Sequence, residues 1–176
     1  MIFQETPLPG AYVVELERTW DERGFFARAW CQREFAERGL TAQFVQTNVA
    51  YSRKKGTLRG LHYQAPPYQE AKLVRCTAGR AYDVVVDLRR DSPTYRRWFG
   101  VELAQATYRM LFVPEGFAHG YLTLEDETEI TYQVSQFYAP GFERGIRYDD
   151  PALAIAWPGP IEIVSAKDRS WEDFAG

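Results

Sequence analysis

Histidine, cysteine and methionine are scarce in this chain, with two of each in 176 residues. Two cysteines, Cys31 and Cys76, cannot build the disulfide framework of a small secreted domain, so a reducing compartment, the cytoplasm, is expected. No apolar run approaches the roughly 20 residues of a membrane span, and no membrane partner is expected. The opening MIFQETPLPG lacks a basic stretch followed by an apolar one, so no signal peptide is expected. No long basic run is present. Arg53-Lys54-Lys55 comes nearest and reads as a solvated turn, and the net charge is −3, which argues against a nucleic-acid surface. Internal repeats and low-complexity tracts are missing as well.

What is present is a 45 % hydrophobic and 15 % aromatic composition, suited to a folded, ligand-contacting protein. The length suffices for one domain with a substantial core, expected over residues 1–176. The chain reads as many short strands separated by turn signals. Strands are expected over Tyr12–Glu17, Phe25–Trp30, Gln43–Ala50, Leu58–Gln64, Lys72–Ala78, Ala81–Leu88, Arg97–Leu103, Arg109–Val113, Tyr121–Leu124 and Thr128–Phe137. Gly79-Arg80 is a plausible hairpin turn between two of them. In Ala81–Leu88, strand parity separates Tyr82, Val84, Val86 and Leu88, read as core, from a face carrying Asp83, Val85 and Asp87. The best helix is Gln32–Arg38, anchored by Phe35 and stopped by Gly39. Pro151, Pro158 and Pro160 rule out long regular elements in the tail. No strand alternates with a helix of 10–15 residues, so the expected fold is all-β: an antiparallel jelly-roll sandwich or barrel with a few short helices.

The two histidines are the natural proton-transfer groups near neutral pH. His62 lies in Arg59-Gly60-Leu61-His62-Tyr63-Gln64 and His119 in Pro114-Glu115-Gly116-Phe117-Ala118-His119-Gly120. Parity puts His62 and Gln64 on one strand face and Arg59 on the other, unless Gly60 breaks the strand and turns Arg59 toward the same cavity. The spacing is similar to that of metal-binding cupins, which carry Gly, five residues and His-x-His, then Pro-x-Gly-x-x-His. Here Gly56 and His62 fit, but Gln64 stands where the second His would be, while Pro114, Gly116 and His119 complete the later element. Zinc and iron sites usually need three or four His, Cys or carboxylate ligands, so the cupin scaffold is expected without a metal.

Nine segments make the resemblance specific: DERGFF (Asp21–Phe26), FVQTN (Phe44–Asn48), LRGLHYQ (Leu58–Gln64), AKLVRC (Ala71–Cys76), YDVVVDLR (Tyr82–Arg89), SPT (Ser92–Thr94), VPEGFAHG (Val113–Gly120), YAPGFERGIRYDDP (Tyr138–Pro151) and SAKD (Ser165–Asp168). In order and over nearly the whole chain, they resemble the dTDP-4-dehydrorhamnose 3,5-epimerase family. The resemblance implies a homodimeric, cofactor-free, cupin-like jelly-roll isomerase of deoxysugar (rhamnose-type) biosynthesis acting on a nucleotide-linked 4-keto-6-deoxyhexose. Under it, His62 would be the general base, Asp168 its orienting carboxylate, Lys72 the enolate stabiliser and Tyr132 the acid on the opposite face. Arg23, from the partner subunit, and Arg59 would hold the diphosphate. Phe26, Gln46, Asn48, Gln64, His119 and Tyr138 would line the sugar and base pockets.

These residue types suit that reaction. A C4 ketone acidifies the protons on C3 and C5, because their removal leaves an enolate. Inversion needs a base on one face and a donor on the other, and a neutral imidazole steered by a carboxylate can take the proton. The enolate oxygen needs a fixed positive charge, which a lysine supplies. A tyrosine, titrating near pH ~10 when unperturbed, is protonated at neutral pH and able to donate. No hydride, metal or electron sink is required.

The chain departs from the family pattern around the pocket. Arg28 stands where a Glu from the partner subunit usually contacts the nucleotide sugar, Thr47 where Asp is usual, and Ala71 where Gly is usual. Val49–Lys55 is one residue longer, and the usual His after Asn48 is missing. The alternatives are therefore a C3-only or C5-only epimerase, a ketoisomerase on a related sugar nucleotide, a non-catalytic sugar-binding jelly roll, and a metal-dependent cupin oxygenase.

Overall fold

The structure is a computed structural model that describes residues 1–41 and 43–174, so residues 42, 175 and 176 of the expected domain lie outside the described residues. Its strands are β1 (Ile2–Glu5), β2 (Tyr12–Glu15), β3 (Thr19–Asp21), β4 (Gly24–Phe26), β5 (Gln46–Ser52), β6 (Thr57–Gln64), β7 (Lys72–Ala78), β8 (Arg80–Asp87), β9 (Trp98–Ala104), β10 (Met110–Val113), β11 (Phe117–Thr123), β12 (Thr128–Val134), β13 (Glu143–Gly145) and β14 (Ile163–Val164). The helices are α1 (Gln32–Ala36) and α2 (Ala166–Arg169). Neither is long and apolar enough to cross a membrane.

Two sheets face one another as a cupin-like jelly roll. One runs β1-β2-β10-β7-β12-β5; the other runs β13-β6-β11-β8-β9, with β14 added in parallel beside β6. Both are otherwise antiparallel, which leaves alternate residues of each strand for the space between them. Val74, Cys76 and Ile130 from the first sheet meet Val85, Leu103, Phe117 and Tyr121 from the second in that layer. Burial pushes the Cys76 thiol up to about 11, so this cysteine is a core residue without thiolate reactivity.

The expected hairpin at Gly79-Arg80 is not formed. β7 belongs to the first sheet and β8 to the second, so the turn carries the chain across the sandwich. Gly79 has φ +68°, and a Cβ there would lie 2.6 Å from Thr128 Oγ1. The turn chemistry was legible, but a local turn does not say which sheet the next strand joins. The parity read for β8 holds, and the face with the two carboxylates is buried as well. Asp83 and Asp87 are fully buried and face the interior with Val85, while Tyr82, Val84 and Val86 pack beneath the C-terminal segment against Ile146, Leu153 and Trp157. Both faces of β8 are therefore core.

The expected strand Phe25–Trp30 contracts to β4, which pairs with β3 as a separate hairpin. Asp21 Oδ1 accepts from the Arg23 backbone N–H at 2.9 Å and closes its turn. Helix α1 is a single turn, two residues shorter than expected. Phe35 fixes it in a cluster with Phe112, and Gly39 ends it at φ +67° with its N–H on the Ala36 carbonyl.

Candidate active site

The register of β6 decides where its polar side chains go. Pairing with β11 runs His62↔His119 and Arg59↔Tyr121, so two residues of β6, Gly60 and Leu61, oppose Gly120 alone. This bulge resets the parity, and Arg59 and His62 border the same cleft. Gly60 permits it: φ is +124°, and a Cβ would stand 2.5 Å from the Gly120 Cα.

The cleft lies between the sheets in two lobes of about 430 and 240 Å³. His62, Lys72 and Tyr132 border both. His62 comes from β6 of one sheet, and Lys72 and Tyr132 come from β7 and β12 of the other. Within that sheet Val134 pairs with Lys72 and Gln46, and Tyr132 pairs with Asn48. Parity therefore puts Gln46, Asn48, Lys72 and Tyr132 on one inward face.

Asp168 sits behind the imidazole, its Oδ1 2.6 Å from His62 Nε2. Its other oxygen accepts from the Gly60 N–H at 3.3 Å. The tail brings it there because β14 runs parallel to β6, pairing Ile163 with Thr57 and Val164 with Leu58. Ser165 then caps α2, its Oγ accepting from the Asp168 N–H at 3.0 Å. Burial raises the Asp168 carboxyl, but the hydrogen bond and charge of His62, with the Gly60 N–H and Ser165, outweigh it and hold the group below the usual carboxylate range.

Lys72 is almost buried, and its Nζ lies 3.0 Å from Glu70 Oε1 and 6.0 Å from the centre of the Tyr132 ring. Burial, helped by the Glu70 carboxylate, pushes the Tyr132 phenol above its ordinary value. His119 is buried beside His62 in the larger lobe, its Nε2 2.8 Å from Oδ1 of the buried Asp83. Arg59 donates from Nε to Ser52 Oγ at 3.1 Å and from Nη2 to the Tyr51 carbonyl at 2.8 Å.

The smaller lobe holds Gln46, Asn48, Gln64 and Tyr138. Gln64 is buried, and its amide is already engaged: Nε2 faces the Tyr68 and Phe137 carbonyls and Glu70 Oε2, and Oε1 accepts from the Ala139 N–H at 2.7 Å. It therefore ties the 65–71 and 136–139 segments together. Gln46 Oε1 accepts from the Tyr138 N–H at 3.0 Å and leaves the Tyr138 ring exposed. Among the described residues no three His, Cys, Asp or Glu side chains group to hold a metal ion.

Three expected site residues are not brought to the cleft within the chain. Arg23 is 85 % exposed at the β3–β4 turn and paired with Asp21. Phe26 is 77 % exposed at the end of β4. Arg28 contacts Glu34 at 3.3 Å and borders a shallow depression beside α1.

A family model described as dTDP-4-dehydrorhamnose 3,5-epimerase matches residues 5–176. The chain belongs to the dTDP-4-dehydrorhamnose 3,5-epimerase family. It is 44 % identical over 171 residues to the dTDP-4-dehydrorhamnose 3,5-epimerase of Shigella flexneri, covering 97 % of this chain and 94 % of that protein. The crystal structure of dTDP-4-dehydrorhamnose 3,5-epimerase from Elizabethkingia anophelis NUHP1 matches with a TM-score of 0.96 at 38 % identity, covering 99 % of this chain and 96 % of the other. The dTDP-6-deoxy-D-glucose-3,5-epimerase of Legionella pneumophila Philadelphia 1, in complex with dTDP-4-keto-L-rhamnose, matches with a TM-score of 0.90 at 38 % identity, over 98 % and 92 % of the two chains.

Within this epimerase fold, the structure adds polar groups that the sequence did not single out. Glu70 and Glu143 enter the smaller lobe, and Ser165 and Lys167 the larger. Lys167 Nζ is 2.5 Å from Glu143 Oε2; burial raises the Glu143 carboxyl, and Lys167, together with His62 and the Tyr138 hydroxyl, more than reverses this. Glu70 stands two residues before Lys72 in the segment leading into β7, where no strand pattern marks it. Glu143 and Lys167 meet across 24 positions, and no local pattern links them.

Proposed function

We propose that this epimerase inverts C3 and C5 of a dTDP-linked 4-keto-6-deoxyhexose, as a step toward dTDP-rhamnose. The observation that carries the reading is one cleft in which His62 from one sheet faces Lys72 and Tyr132 from the other, with Asp168 behind the imidazole.

With Asp168 ionised and bonded to Nε2, the imidazole keeps its proton on that nitrogen, and Nδ1 presents the lone pair to the substrate. Removal of the C3 or C5 proton puts negative charge on O4, where the buried Lys72 ammonium meets it. The phenol of Tyr132, kept protonated by its surroundings, delivers a proton from the opposite side. Arg59 and His119 border the lobe that accepts the polar part of the ligand. No cofactor enters any of these steps.

The reading extends to a homodimer. Val49 and Tyr51 are exposed on the outer face of β5, alternating with inward Asn48 and Ala50. The exposed β3–β4 hairpin and the segment after it would then offer Arg23, Phe26 and Arg28 to the neighbouring subunit's cleft. A single domain spanning residues 1–176, a cytoplasmic location and the absence of nucleic-acid and membrane partners complete the proposal.

The test is incubation with dTDP-4-keto-6-deoxyglucose in deuterated water, followed by NMR. Label at C3 and C5 with inverted configuration and the ketone still at C4 supports the reading. Label at one carbon assigns a monoepimerase, a displaced ketone assigns a ketoisomerase, and binding without label leaves a sugar-binding module.

A further inference from the structure

We infer that Glu70 is a positioning residue for this reaction, holding the Lys72 ammonium at the place where the enolate oxygen forms and setting the charge that faces Tyr132. The inference rests on the roles proposed above for Lys72 and Tyr132. Glu70 lies in the segment leading into β7, with one oxygen 3.0 Å from Lys72 Nζ and the other accepting from Gln64 Nε2 at 3.3 Å. The Glu70 and Lys72 side chains are only 12 % and 9 % exposed. Gln64 is itself fixed by the Tyr68 and Phe137 carbonyls and the Ala139 N–H. The two amide hydrogens are shared among the Tyr68 and Phe137 carbonyls and Glu70, so the amide lies against the carboxylate, and the carboxylate holds the lysine.

This arrangement answers two physical difficulties. A lysine ends in a compact, strongly hydrated charge on a flexible four-carbon stem, so its head is poorly placed without a partner. Burying that charge alone is costly, and a carboxylate at ion-pair distance offsets the cost. Glu70 also acts across the cleft. The charged or titratable groups that line the two lobes with Tyr132 are Lys72 and Glu70 from β7 and its lead-in, Arg59, His62 and Tyr63 from β6, His119 and Tyr121 from β11, Glu143 from β13, Tyr138 before it, and Lys167 and Asp168 from α2. Its neighbour on β5 is the neutral Asn48. Burial is the main cause that keeps the phenol protonated; the Glu70 charge adds to it, followed by that of Glu143, and the Arg59 charge opposes them.

The two roles separate by substitution. Glu70→Gln keeps an acceptor oxygen for Lys72 and removes the charge; Glu70→Ala removes both. The measurement is kcat, KM and the pH profile of kcat for full-length wild type and both variants on dTDP-4-keto-6-deoxyglucose. Glu70→Ala is expected to lose about 10- to 100-fold in kcat with little change in KM, the scale of a misplaced catalytic group. Glu70→Gln is expected to recover much of that loss at neutral pH, with its alkaline limb displaced to lower pH because the phenol loses a repelling charge. Two variants indistinguishable from wild type in kcat and in the alkaline limb overturn the inference. So does a Glu70→Gln enzyme as impaired as Glu70→Ala with the limb unmoved. Wild-type protein that turns over no such substrate overturns the epimerase reading instead.

Discussion

Asp168 lies 106 residues beyond His62, yet its carboxylate stands 2.6 Å from the imidazole Nε2. Three separate devices produce that contact: the parallel pairing of β14 with β6, the Ser165 cap on α2, and the Gly60 N–H on the second carboxylate oxygen. The imidazole is oriented by a group that is itself held at both ends.

Asp168→Asn should therefore fold and bind but react slowly. An amide can offer the wrong partner to Nε2 and release the tautomer that leaves Nδ1 basic. The expected loss is about 10²–10⁴-fold in kcat, with a much smaller change in KM, read by steady-state kinetics. A loss appearing mainly in KM would place Asp168 in ligand binding.

Tyr132→Phe should separate two events that wild type couples. Removal of the phenol leaves His62 and Lys72 able to form the enolate, so solvent label should still enter the substrate. Delivery from the opposite side is lost, so inverted product should fall by about 10²-fold or more. NMR that follows label and configuration in one sample distinguishes the two.

Gly60→Ala should destabilise the fold and not merely slow the enzyme. The position has φ +124°, and the added methyl would meet the Gly120 backbone at 2.5 Å. The expected cost is roughly 3 kcal/mol in chemical denaturation, with the β6–β11 register as the casualty.

Acid should weaken the fold through Asp87 and Asp168. Burial raises both carboxyls, but Arg89, Ser92 and Thr94 around Asp87, and His62 behind Asp168, hold them lower in the folded state than in the unfolded chain. A group so depressed contributes its stability fully above the unfolded carboxylate value of about 3.9, and loses it as pH falls through the folded value. Denaturation midpoints should be flat near neutrality and fall steeply below about pH 4. Asp87→Ala should remove part of that slope and cost on the order of 3 kcal/mol at pH 7, since it strips a fully buried acceptor from Arg89.

Much of this architecture was legible in the residues. Short strands bounded by turn residues led to an antiparallel sandwich, and the lone glycine in Arg59-Gly60-Leu61-His62 gave away the bulge that turns two polar side chains into one cleft. Phe35 and Gly39 marked a helix that forms as a single turn. What stayed hidden depends on which strands meet. The Gly79 turn has hairpin chemistry, but β8 joins the other sheet, and this in turn buries Asp83 and Asp87. Asp168 sits in a polar tail with no local sign of its partner, and only the resemblance pointed to it. Glu70 looked like an ordinary polar residue near the start of a strand. Arg23, Phe26 and Arg28 lie on an exposed hairpin and the segment after it, where no signal within one chain says what they reach.

The most direct measurement is solvent deuterium uptake at C3 and C5 of dTDP-4-keto-6-deoxyglucose by wild type and His62→Asn, with dTDP affinity measured on the same preparations. The account predicts uptake by wild type, uptake reduced at least about 10²-fold at both carbons in the variant, and dTDP binding within a few-fold of wild type. A His62→Asn protein that still labels both carbons at the wild-type rate would contradict it.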